Sequence, residues 1–365
     1  LHFYKTYYPD TMGGIEQSIF QLARSGHAHG IENKVLSLSH SKDGRVIQMD
    51  GHQAYRAKTI FEIASTPFSF AVFKKFALMA KEADVIHYQF PFPFMDVVHF
   101  ATRHKKPTVV SYQSDIIRQK RLHKFYTPLQ NKFLASVDRI VTTSPNYLAT
   151  SEVLQEHSDK VKVIPIGLDQ ASYPEATEQK INYWKSRFSK PFFLFVGMLR
   201  YYKGLHILIE AAQGADYPIV ILGSGPIQIA LKTQAAKLGL TNIHFLGLRS
   251  DEDKVALLNL CYAVLLPSHL RSEAFGISLL EGAMFGKPMI SSEIGTGTTF
   301  INITNETGLA VSPGDPAALR EAMDYLWEHP EQAAEMGRNA VLRYRKHFTA
   351  RDMANAYAKL YQELV

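Results

Sequence analysis

Short apolar runs alternate with longer amphipathic segments along most of the chain. The runs have the length of buried strands, and the longer segments carry apolar residues at the three- and four-residue spacing of helices. We predict strands at the amino terminus and at 34–39, 84–88, 107–112, 138–143, 192–196, 218–222, 243–246, 262–266 and 288–291. In the first half we predict helices between residues 15 and 30, 68 and 82, and 124 and 136. Such alternation favours parallel sheets that are covered by helices on both faces.

The alternation runs twice along the chain, which indicates two domains. A polar stretch near 165–192 contains prolines and several charges, and it has the composition of a linker. We therefore expect one domain over residues 1–167 and a second over 168–346, followed by a final helix at 349–364. A chain of 365 residues is long enough for two buried cores.

Composition and charge narrow the classes of protein. The single cysteine, Cys261, lies in an apolar run, so a disulfide framework is excluded and a buried thiol is expected rather than a nucleophile. No apolar run reaches the ~18 residues of a membrane-spanning helix. Residues 1–168 carry a net charge of +7 and residues 169–365 a net charge of −1, which indicates different partners for the two halves.

Ligands of doubly wound sheets bind beyond the carboxyl ends of the strands, so the turns that follow strands are the places to search. Gly13 and Gly14 immediately precede a helix, where the backbone can approach a diphosphate; a plain turn is the alternative. The turn VGMLRYYKG at 196–204 holds Arg200 and Lys203, two cations that can clamp a diphosphate. Solvated surface charge is the alternative for that pair.

The segment 267–292 has the richest chemistry. Glu273 lies before a predicted helix and Glu281 lies two turns inside it, where each carboxylate can accept hydrogen bonds from sugar hydroxyls. The backbone N–H groups at the helix opening, formed by Phe275, Gly276 and Ile277, can bind phosphate oxygens. Two surface glutamates are the alternative, but Glu281 sits among apolar residues, where an ionised carboxylate needs a partner.

Other motifs have simpler interpretations. Asp251, Glu252 and Asp253 resemble a metal-binding D-x-D, but they open a helical pattern after Ser250, so we expect a role at the helix amino terminus and no catalytic metal. The glycines at 223–225 either line a nucleotide cleft or turn the chain. No nucleic-acid-binding module is present, so nucleic acid is not an expected partner.

Six motifs in order carry a resemblance to a known family: GGIE, IPIGLD, VGMLRYYKG, LGSGP, the E-x7-E block and NETGLAVSPGD. The chain resembles family 4 of the retaining glycosyltransferases. The sequences of its motifs are most similar to those of bacterial mannosyltransferases of lipopolysaccharide O-antigen or capsule assembly. The resemblance implies the α/β architecture called GT-B, in which two Rossmann-like domains face each other across a cleft. It also implies that a carboxyl-terminal helix, within 347–365, returns to the amino-terminal, acceptor-binding domain.

The resemblance assigns roles to the residues of the second domain, which binds the sugar nucleotide. Glu273 would contact the transferred sugar, Glu281 the ribose, and Arg200 with Lys203 the diphosphate. Many members carry Arg directly after the glycine of the Arg–Lys motif, where this chain has Met198, so we expect Arg200 to compensate.

Residues of the first domain complete the expected site. Gly13 and Gly14 would approach the phosphates and the acceptor. Many relatives place a histidine after the strand at 107–112, whereas this chain has Gln113, which can bind a sugar hydroxyl but cannot titrate as histidine does. Gln113 is therefore assigned to the catalytic group and the neighbouring Asp115 to the acceptor.

The mechanism that the resemblance implies is front-face transfer with retained stereochemistry and no metal or other cofactor. The leaving diphosphate helps to deprotonate the acceptor hydroxyl, while protein groups position the reactants and stabilise charge on the phosphate. Arg200, Lys203 and the helix start at Gly276 would supply that stabilisation. The leading donor substrate is GDP-mannose, and the expected acceptor is a glycan or a lipid-linked glycan.

The segment 116–133 is basic, with interleaved apolar and aromatic residues. A solvated helix face is one interpretation, and attachment to anionic lipid is the other. Together with the expected acceptor, the second interpretation predicts a cytoplasmic protein that is peripheral on the inner membrane.

Three alternative functions stay open from the sequence. A UDP-sugar could replace GDP-mannose in the same reaction. A sugar-nucleotide epimerase could use the same architecture, although IPIGLD and the E-x7-E block favour transfer. Gln113 motivates the third alternative, a sugar-nucleotide-binding subunit without catalytic activity.

Overall fold

A computed structural model describes the backbone of residues 1–41, 46–63, 66–116 and 120–365, and the side chains of these ranges except 120–124. The chain divides into two compact units, Leu1–Gly167 with Ala350–Val365, and Leu168–Thr349. Residues 347–349 thus lie in the second unit and not, as expected, in the first. The physical reason is Phe348, which is buried against the rings of Phe275 and Phe300 in that unit.

The first unit is built on a sheet with the strand order β10-β9-β8-β7-β1-β2-β4-β3, in which every neighbouring pair of the described strands is parallel except β3–β4. Strands β5 and β6 form a separate antiparallel hairpin. The strands are β1 (His2–Phe3), β2 (Asn33–Ser39), β3 (Ile47–Met49), β4 (His52–Lys58), β5 (Phe61–Ile63), β6 (Thr66–Phe68), β7 (Ile86–Phe90), β8 (Thr108–Tyr112), β9 (Arg139–Thr142) and β10 (Val161–Val163).

Helices connect these strands, and three of them, α1, α2 and α4, lie where the apolar periodicity predicts them. They are α1 (Gly14–Gly26), α2 (Ala71–Glu82), α3 (Pro93–Thr102), α4 (Lys120–Ser136), α5 (Pro145–Thr150) and α6 (Glu152–Glu156). Strands β7 and β8 are buried at all five positions, as expected for central strands of a covered parallel sheet.

The second unit has the strand order β13-β12-β11-β14-β15-β16, and all its described strand pairs are parallel. Its strands are β11 (Phe193–Val196), β12 (Ile219–Leu222), β13 (Ile243–Gly247), β14 (Ala263–Leu266), β15 (Met289–Ser292) and β16 (Gly308–Val311). Its helices are α7 (Glu178–Arg187), α8 (Leu205–Ala211), α9 (Gln228–Lys237), α10 (Asp251–Leu260), α11 (Ile277–Met284), α12 (Thr298–Ile301), α13 (Pro316–Glu328) and α14 (Pro330–His347). Cys261 is buried in this core, as predicted, and burial raises the pKa of its thiol to about 12.

The last helix, α15 (Ala350–Gln362), belongs to the first unit. Its buried residues Met353, Ala354, Tyr357 and Leu360 follow helical spacing and pack with Leu22, Val85, Val109, Val141 and Ile164 of that unit. The apolar face of α15 therefore stabilises its position on the first unit. Among the described residues, no helix combines the length and hydropathy required to cross a bilayer.

Candidate functional site

Lys203 and Glu273 form a buried ion pair in the second unit. Lys203 ends a short 3-10 turn after β11, and Glu273 follows β14, the neighbouring strand in the sheet. The Lys203 Nζ lies 2.5 Å from Glu273 Oε2, and the two side chains are only 13% and 11% exposed. The Ser268 hydroxyl donates to the same carboxylate oxygen over 3.2 Å. The structure thus brings together two residues that were predicted from separate motifs, and it excludes the surface-charge interpretation for both.

The ion pair keeps Lys203 charged. Burial by itself lowers the pKa of an ammonium group, but attraction to Glu273, with smaller contributions from Tyr202 and Glu281, raises the pKa of Lys203 above its usual value. A permanent cation is thereby held at the carboxyl edge of the sheet, where it can stabilise an anionic ligand.

The opening of α11 lies directly after Glu273. Gly276 precedes the helix at φ 102°, a left-handed conformation that favours glycine, and no side chain caps the helix start. Phe275 is buried, while Ile277 is half-buried at the first helical position. The Thr296 hydroxyl donates to the Glu273 carbonyl at 2.7 Å. This geometry leaves the first backbone N–H groups of α11 available to an anion.

Glu281 is buried in the second turn of α11, and it has the partner that its apolar setting requires. Its Oε1 lies 3.1 Å from the Lys254 Nζ and accepts a hydrogen bond from the Tyr173 hydroxyl at 3.0 Å. Burial lowers and Glu281 raises the pKa of Lys254, with a net rise, so the compensating charge is retained. Sequence reasoning missed Lys254 and Tyr173, because neither stands in a motif next to the glutamate.

Arg200 stands apart from the ion pair. It precedes the 3-10 turn that carries Lys203, its side chain is exposed, and its Nε contacts the Met198 sulfur at 3.0 Å. Among the described residues, no ion pair joins Arg200 to Glu273 or Glu281. Its diphosphate role therefore stays a prediction that needs the side chain to reorient around a ligand.

The glycines at 223–225 hold the turn that carries both cations. A Cβ added at Gly223 would lie 2.0 Å from the Gly197 carbonyl oxygen, and one added at Gly225 would lie 2.4 Å from the Leu199 carbonyl oxygen. The Leu199 N–H donates to the Ser224 carbonyl at 2.9 Å. Gly223 and Gly225 therefore allow a close backbone contact with the neighbouring turn, which neither of the two interpretations included, and a place in a nucleotide cleft stays a prediction.

A ring cluster lies beside the cationic turn. The Tyr201 ring stacks on His206 at 4.9 Å, and the His269 ring meets Tyr201 at 4.9 Å and His206 at 5.1 Å. Partial burial lowers the pKa of both histidines below their usual value of 6.5. Burial therefore favours the neutral forms of His206 and His269, and both imidazole rings pack against Tyr201.

We expect acid to weaken this packing. Because both folded-state pKa values are lowered, the stabilisation is complete above the unfolded pKa of about 6.5 and is lost as pH falls towards the folded values. Melting temperatures measured between pH 8 and pH 5 should fall more steeply for the wild type than for a His206→Asn, His269→Asn double variant. Parallel slopes for the two proteins would contradict this assignment.

In the first unit, the predicted glycine turn closes over a buried carboxylate. Gly13 precedes α1 without a side-chain cap, and a Cβ at Gly13 would lie 2.5 Å from Glu16 Oε2, whereas Gly14 is exposed. Glu16 accepts hydrogen bonds from the hydroxyls of Thr6 and Thr11, each at 2.7 Å. A side chain at Gly13 would thus displace the Glu16 carboxylate, and the role of both glycines in ligand binding stays a prediction.

Gln113 and Asp115 follow β8 at the carboxyl edge of the sheet. Gln113 is 8% exposed, and its Nε2 donates to Gln89 Oε1 at 2.8 Å. Asp115 Oδ1 accepts from the Tyr112 hydroxyl at 3.0 Å and from Ser151 Oγ at 2.8 Å. These bonds give Asp115 a structural task, and acceptor binding stays a prediction for it.

Asp251, Glu252 and Asp253 lie in the first turn of α10, with Ser250 as the capping residue, as predicted. Asp253 binds Lys180 and Trp184, and Glu252 accepts hydrogen bonds from Thr177. Within the described ranges, no group of three or more His, Cys, Asp or Glu residues is placed to hold a metal ion.

The basic segment 116–133 falls partly outside the described residues. Nothing is described for 117–119, nor for the side chains of 120–124, which hold most of its charges. Of the remainder, Phe125 is 86% exposed and Lys132 lies over the Phe100 ring at 5.1 Å.

Two units with parallel sheets, and a final helix that returns to the first unit, define the GT-B class of glycosyltransferases. Sucrose-phosphate synthase from Thermosynechococcus elongatus has this fold and matches with a TM-score of 0.82 at 20% identity, covering 100% of this chain and 98% of that one. A relative that is 61% identical over 96% of this chain and a family model over residues 12–172 show that the chain belongs to glycosyltransferase family 4.

Two family models and two relatives support this membership. Residues 12–172 match "Glycosyltransferase Family 4", and residues 177–343 match "Glycosyl transferases group 1". D-rhamnosyltransferase WbpZ of Pseudomonas aeruginosa is 61% identical over 350 residues, which cover 96% of this chain and 92% of that protein. O-antigen chain mannosyltransferase C of Escherichia coli is 49% identical over 365 residues, which cover 100% of this chain and 98% of that protein.

Proposed function

We propose that this glycosyltransferase moves a hexose of D-manno configuration from a nucleotide sugar to a growing O-antigen glycan, with retained stereochemistry. One relative is named for D-rhamnose and the other for mannose, and D-rhamnose is mannose without the 6-hydroxyl group. GDP-mannose stays the leading donor, and its 6-deoxy counterpart is the alternative. The observation that carries the proposal is the buried Lys203–Glu273 pair beside the open start of α11.

In this mechanism the charged groups of the second unit act on the donor. The Lys203 ammonium and the first N–H groups of α11 stabilise the diphosphate as it leaves. Glu273 accepts hydrogen bonds from the transferred sugar and Glu281 from the ribose. Arg200 adds a second cation once it turns towards the phosphate, and Gln113 binds a sugar hydroxyl.

The proposed acceptor is a lipid-linked glycan, and the proposed place of work is the cytoplasmic face of the inner membrane. The net charge of +7 over residues 1–168 supports contact with anionic lipid there. Sedimentation with liposomes tests this directly, since binding should rise with the anionic lipid fraction and fall with salt. If sedimentation depends neither on the anionic lipid fraction nor on the salt concentration, the protein does not bind the membrane through charge, and this part of the proposal is wrong.

A thermal-shift panel tests the donor. GDP, UDP, ADP and their sugars are added to the intact protein, and a true ligand stabilises the fold by about 2.7 kcal/mol when present at 100 times its Kd. We expect GDP and GDP-mannose or its 6-deoxy counterpart to raise the melting temperature most. A larger rise in melting temperature with UDP-sugars would contradict the GDP assignment and indicate a UDP-sugar-dependent enzyme.

Product analysis separates the remaining alternatives. Transfer of radiolabelled sugar to an acceptor supports the proposal, and conversion of the free nucleotide sugar would indicate an epimerase. Gln113, which cannot titrate, favours the non-catalytic subunit as the second candidate. Binding of the donor without any turnover in the presence of acceptor would establish that candidate instead.

We expect transfer to need no divalent metal ion. The lysine cation and the helix amino terminus supply the charge stabilisation that a metal provides elsewhere. Activity should therefore be unchanged after dialysis against EDTA, measured as turnover with and without added Mg²⁺ or Mn²⁺. Loss of turnover in EDTA that a divalent ion restores would contradict this prediction.

A further inference from the structure

A row of buried polar side chains runs across the sheet of the first unit and ends at Gln113. Alternate residues of a strand share a face, so β7 places His87 and Gln89 together, and β8 places Ser111 on the same face with Gln113 two residues later. Gln89 and Ser111 are direct neighbours in the register of these parallel strands. All four side chains are at most 8% exposed.

Helix α15 anchors one end of the row. The Tyr361 hydroxyl lies 2.6 Å from His87 Nδ1, and the Tyr357 hydroxyl lies 2.8 Å from Ser111 Oγ. Ser111 Oγ lies in turn 2.7 Å from His87 Nε2. The carboxyl-terminal helix thus fixes both ring nitrogens of a buried histidine, directly or through one hydroxyl.

Gln89 connects this histidine to Gln113. Its Nε2 lies 3.4 Å from His87 Nε2, and its Oε1 accepts a hydrogen bond from Gln113 Nε2 at 2.8 Å. Within the part of the chain that the structure describes, the Gln113 side chain has no other hydrogen-bond partner. At this end of the row, the carbonyl oxygen Oε1 of Gln113 accepts no hydrogen bond from the described residues and can accept one from a ligand.

The hydrogen bonds of the row share one donor-to-acceptor direction in the tautomer that carries the ring proton on Nδ1. In that tautomer His87 donates to Tyr361, and its Nε2 accepts mainly from the Ser111 hydroxyl at 2.7 Å and only weakly from the Gln89 amide at 3.4 Å. The Ser111 hydroxyl then donates to His87 Nε2 and accepts from Tyr357. The Gln89 amide is oriented by this histidine, with its oxygen towards Gln113.

We propose that this row fixes the orientation of the Gln113 amide, so that Gln113 presents its carbonyl oxygen Oε1 to a hydroxyl group of a bound sugar. The inference rests on the proposed function, because it takes Gln113 to lie at the reaction site. Gln89 and His87 are positioning residues, since they act only through Gln113. Helix α15 contacts His87 and Ser111 and thereby supports the orientation of Gln89 and Gln113.

A double-mutant cycle tests the proposal. Gln89→Met removes the acceptor for Gln113, and Tyr361→Phe removes the anchor of His87, with each change made alone and together with Gln113→Leu. We expect Gln89→Met and Gln113→Leu each to lower kcat about tenfold, the effect of one net hydrogen bond of roughly 1.4 kcal/mol, with the donor KM unchanged. Tyr361→Phe should lower kcat less, because it acts one residue further away.

The cycle distinguishes positioning from general support of the fold. In the Gln113→Leu background, neither Gln89→Met nor Tyr361→Phe should lower kcat further, because the amide that they orient is gone. Tyr217→Phe is the matched control, since it removes a buried tyrosine hydroxyl that binds Asp324 in the second unit. Tyr217→Phe should leave kcat unchanged both in the wild-type and in the Gln113→Leu background.

Each contrary outcome has a separate meaning. Equal losses in both backgrounds would make Gln89 and Tyr361 merely structural and overturn the inference. Full activity of Gln113→Leu would place Gln113 outside the site and also overturn it, with glycosyl transfer still standing. Failure of the proposed function itself would appear differently, as an intact wild-type protein without transfer.

Discussion

Lys203→Ala is expected to lower turnover by roughly 10²–10³-fold while the KM for the acceptor changes little. The reason is that a preorganised cation aimed at the leaving group stabilises charge that develops only in the transition state. Lys203 is held for this task by Glu273 at 2.5 Å and stays charged despite its burial. Steady-state kinetics with a saturating donor measure the effect, and unchanged turnover would remove Lys203 from the site.

Stability needs a control here, because removing one partner of a buried ion pair typically costs about 3–5 kcal/mol. A Lys203→Met, Glu273→Gln double variant removes both charges and should recover much of the melting temperature without recovering turnover. Lys287→Met is the matched lysine control, since its Nζ binds the Asn259 carbonyl on the surface of the same unit. It should leave both quantities near the wild-type values.

Glu281→Gln should weaken binding of the nucleoside diphosphate by about 10–100-fold. Hydrogen bonds to a charged carboxylate contribute roughly 1.5–3 kcal/mol, and each 1.4 kcal/mol is a factor of ten in Kd. The carboxylate is buried beside Lys254 and Tyr173, so under the proposed function it would accept from ribose hydroxyls without further desolvation. Titration calorimetry with GDP measures the loss.

A modified ligand makes this test specific. If Glu281 binds the ribose, 2′,3′-dideoxy-GDP should bind wild type and Glu281→Gln with nearly equal affinity, because the hydroxyls are missing in both cases. A Glu281→Gln, Lys254→Met variant controls for the unpaired lysine. An equal loss of affinity for GDP and dideoxy-GDP would show that Glu281 supports the fold of α11 instead of the ribose.

Most strands of the two sheets were predicted from apolar runs to within two residues, as for β8, predicted at 107–112 and observed at Thr108–Tyr112. The periodicity sufficed because these strands are buried on both faces and therefore consist of continuous apolar residues. Strands β3, β4, β5, β6, β10 and β16 were not predicted. All of them except the seven-residue β4 have only three or four residues. All of them carry polar, exposed or half-buried positions, so no continuous apolar run distinguishes them from loops.

The individual residues of the candidate site were predicted from the sequence, but the contacts between them were not. Lys203 and Glu273 were each identified by their turns, yet nothing in the sequence predicts that they touch across 70 positions. Lys254 and Tyr173 were missed, since their part is only to compensate and hydrogen-bond Glu281. Arg200 was predicted as the partner of Lys203 at the diphosphate, and the structure leaves it exposed beside Met198.

The sequence by itself determined the alternation of strand and helix, the glycines of the turns and the chemical types at their ends, because these depend on neighbours within a few residues. The tertiary structure decided which turns meet. Strand β11 lies beside both β12 and β14, so the turn of Lys203 contacts the glycines at 223–225 on one side and pairs with Glu273 on the other. That strand order follows from crossovers and from burial of the whole sheet, which no local pattern encodes.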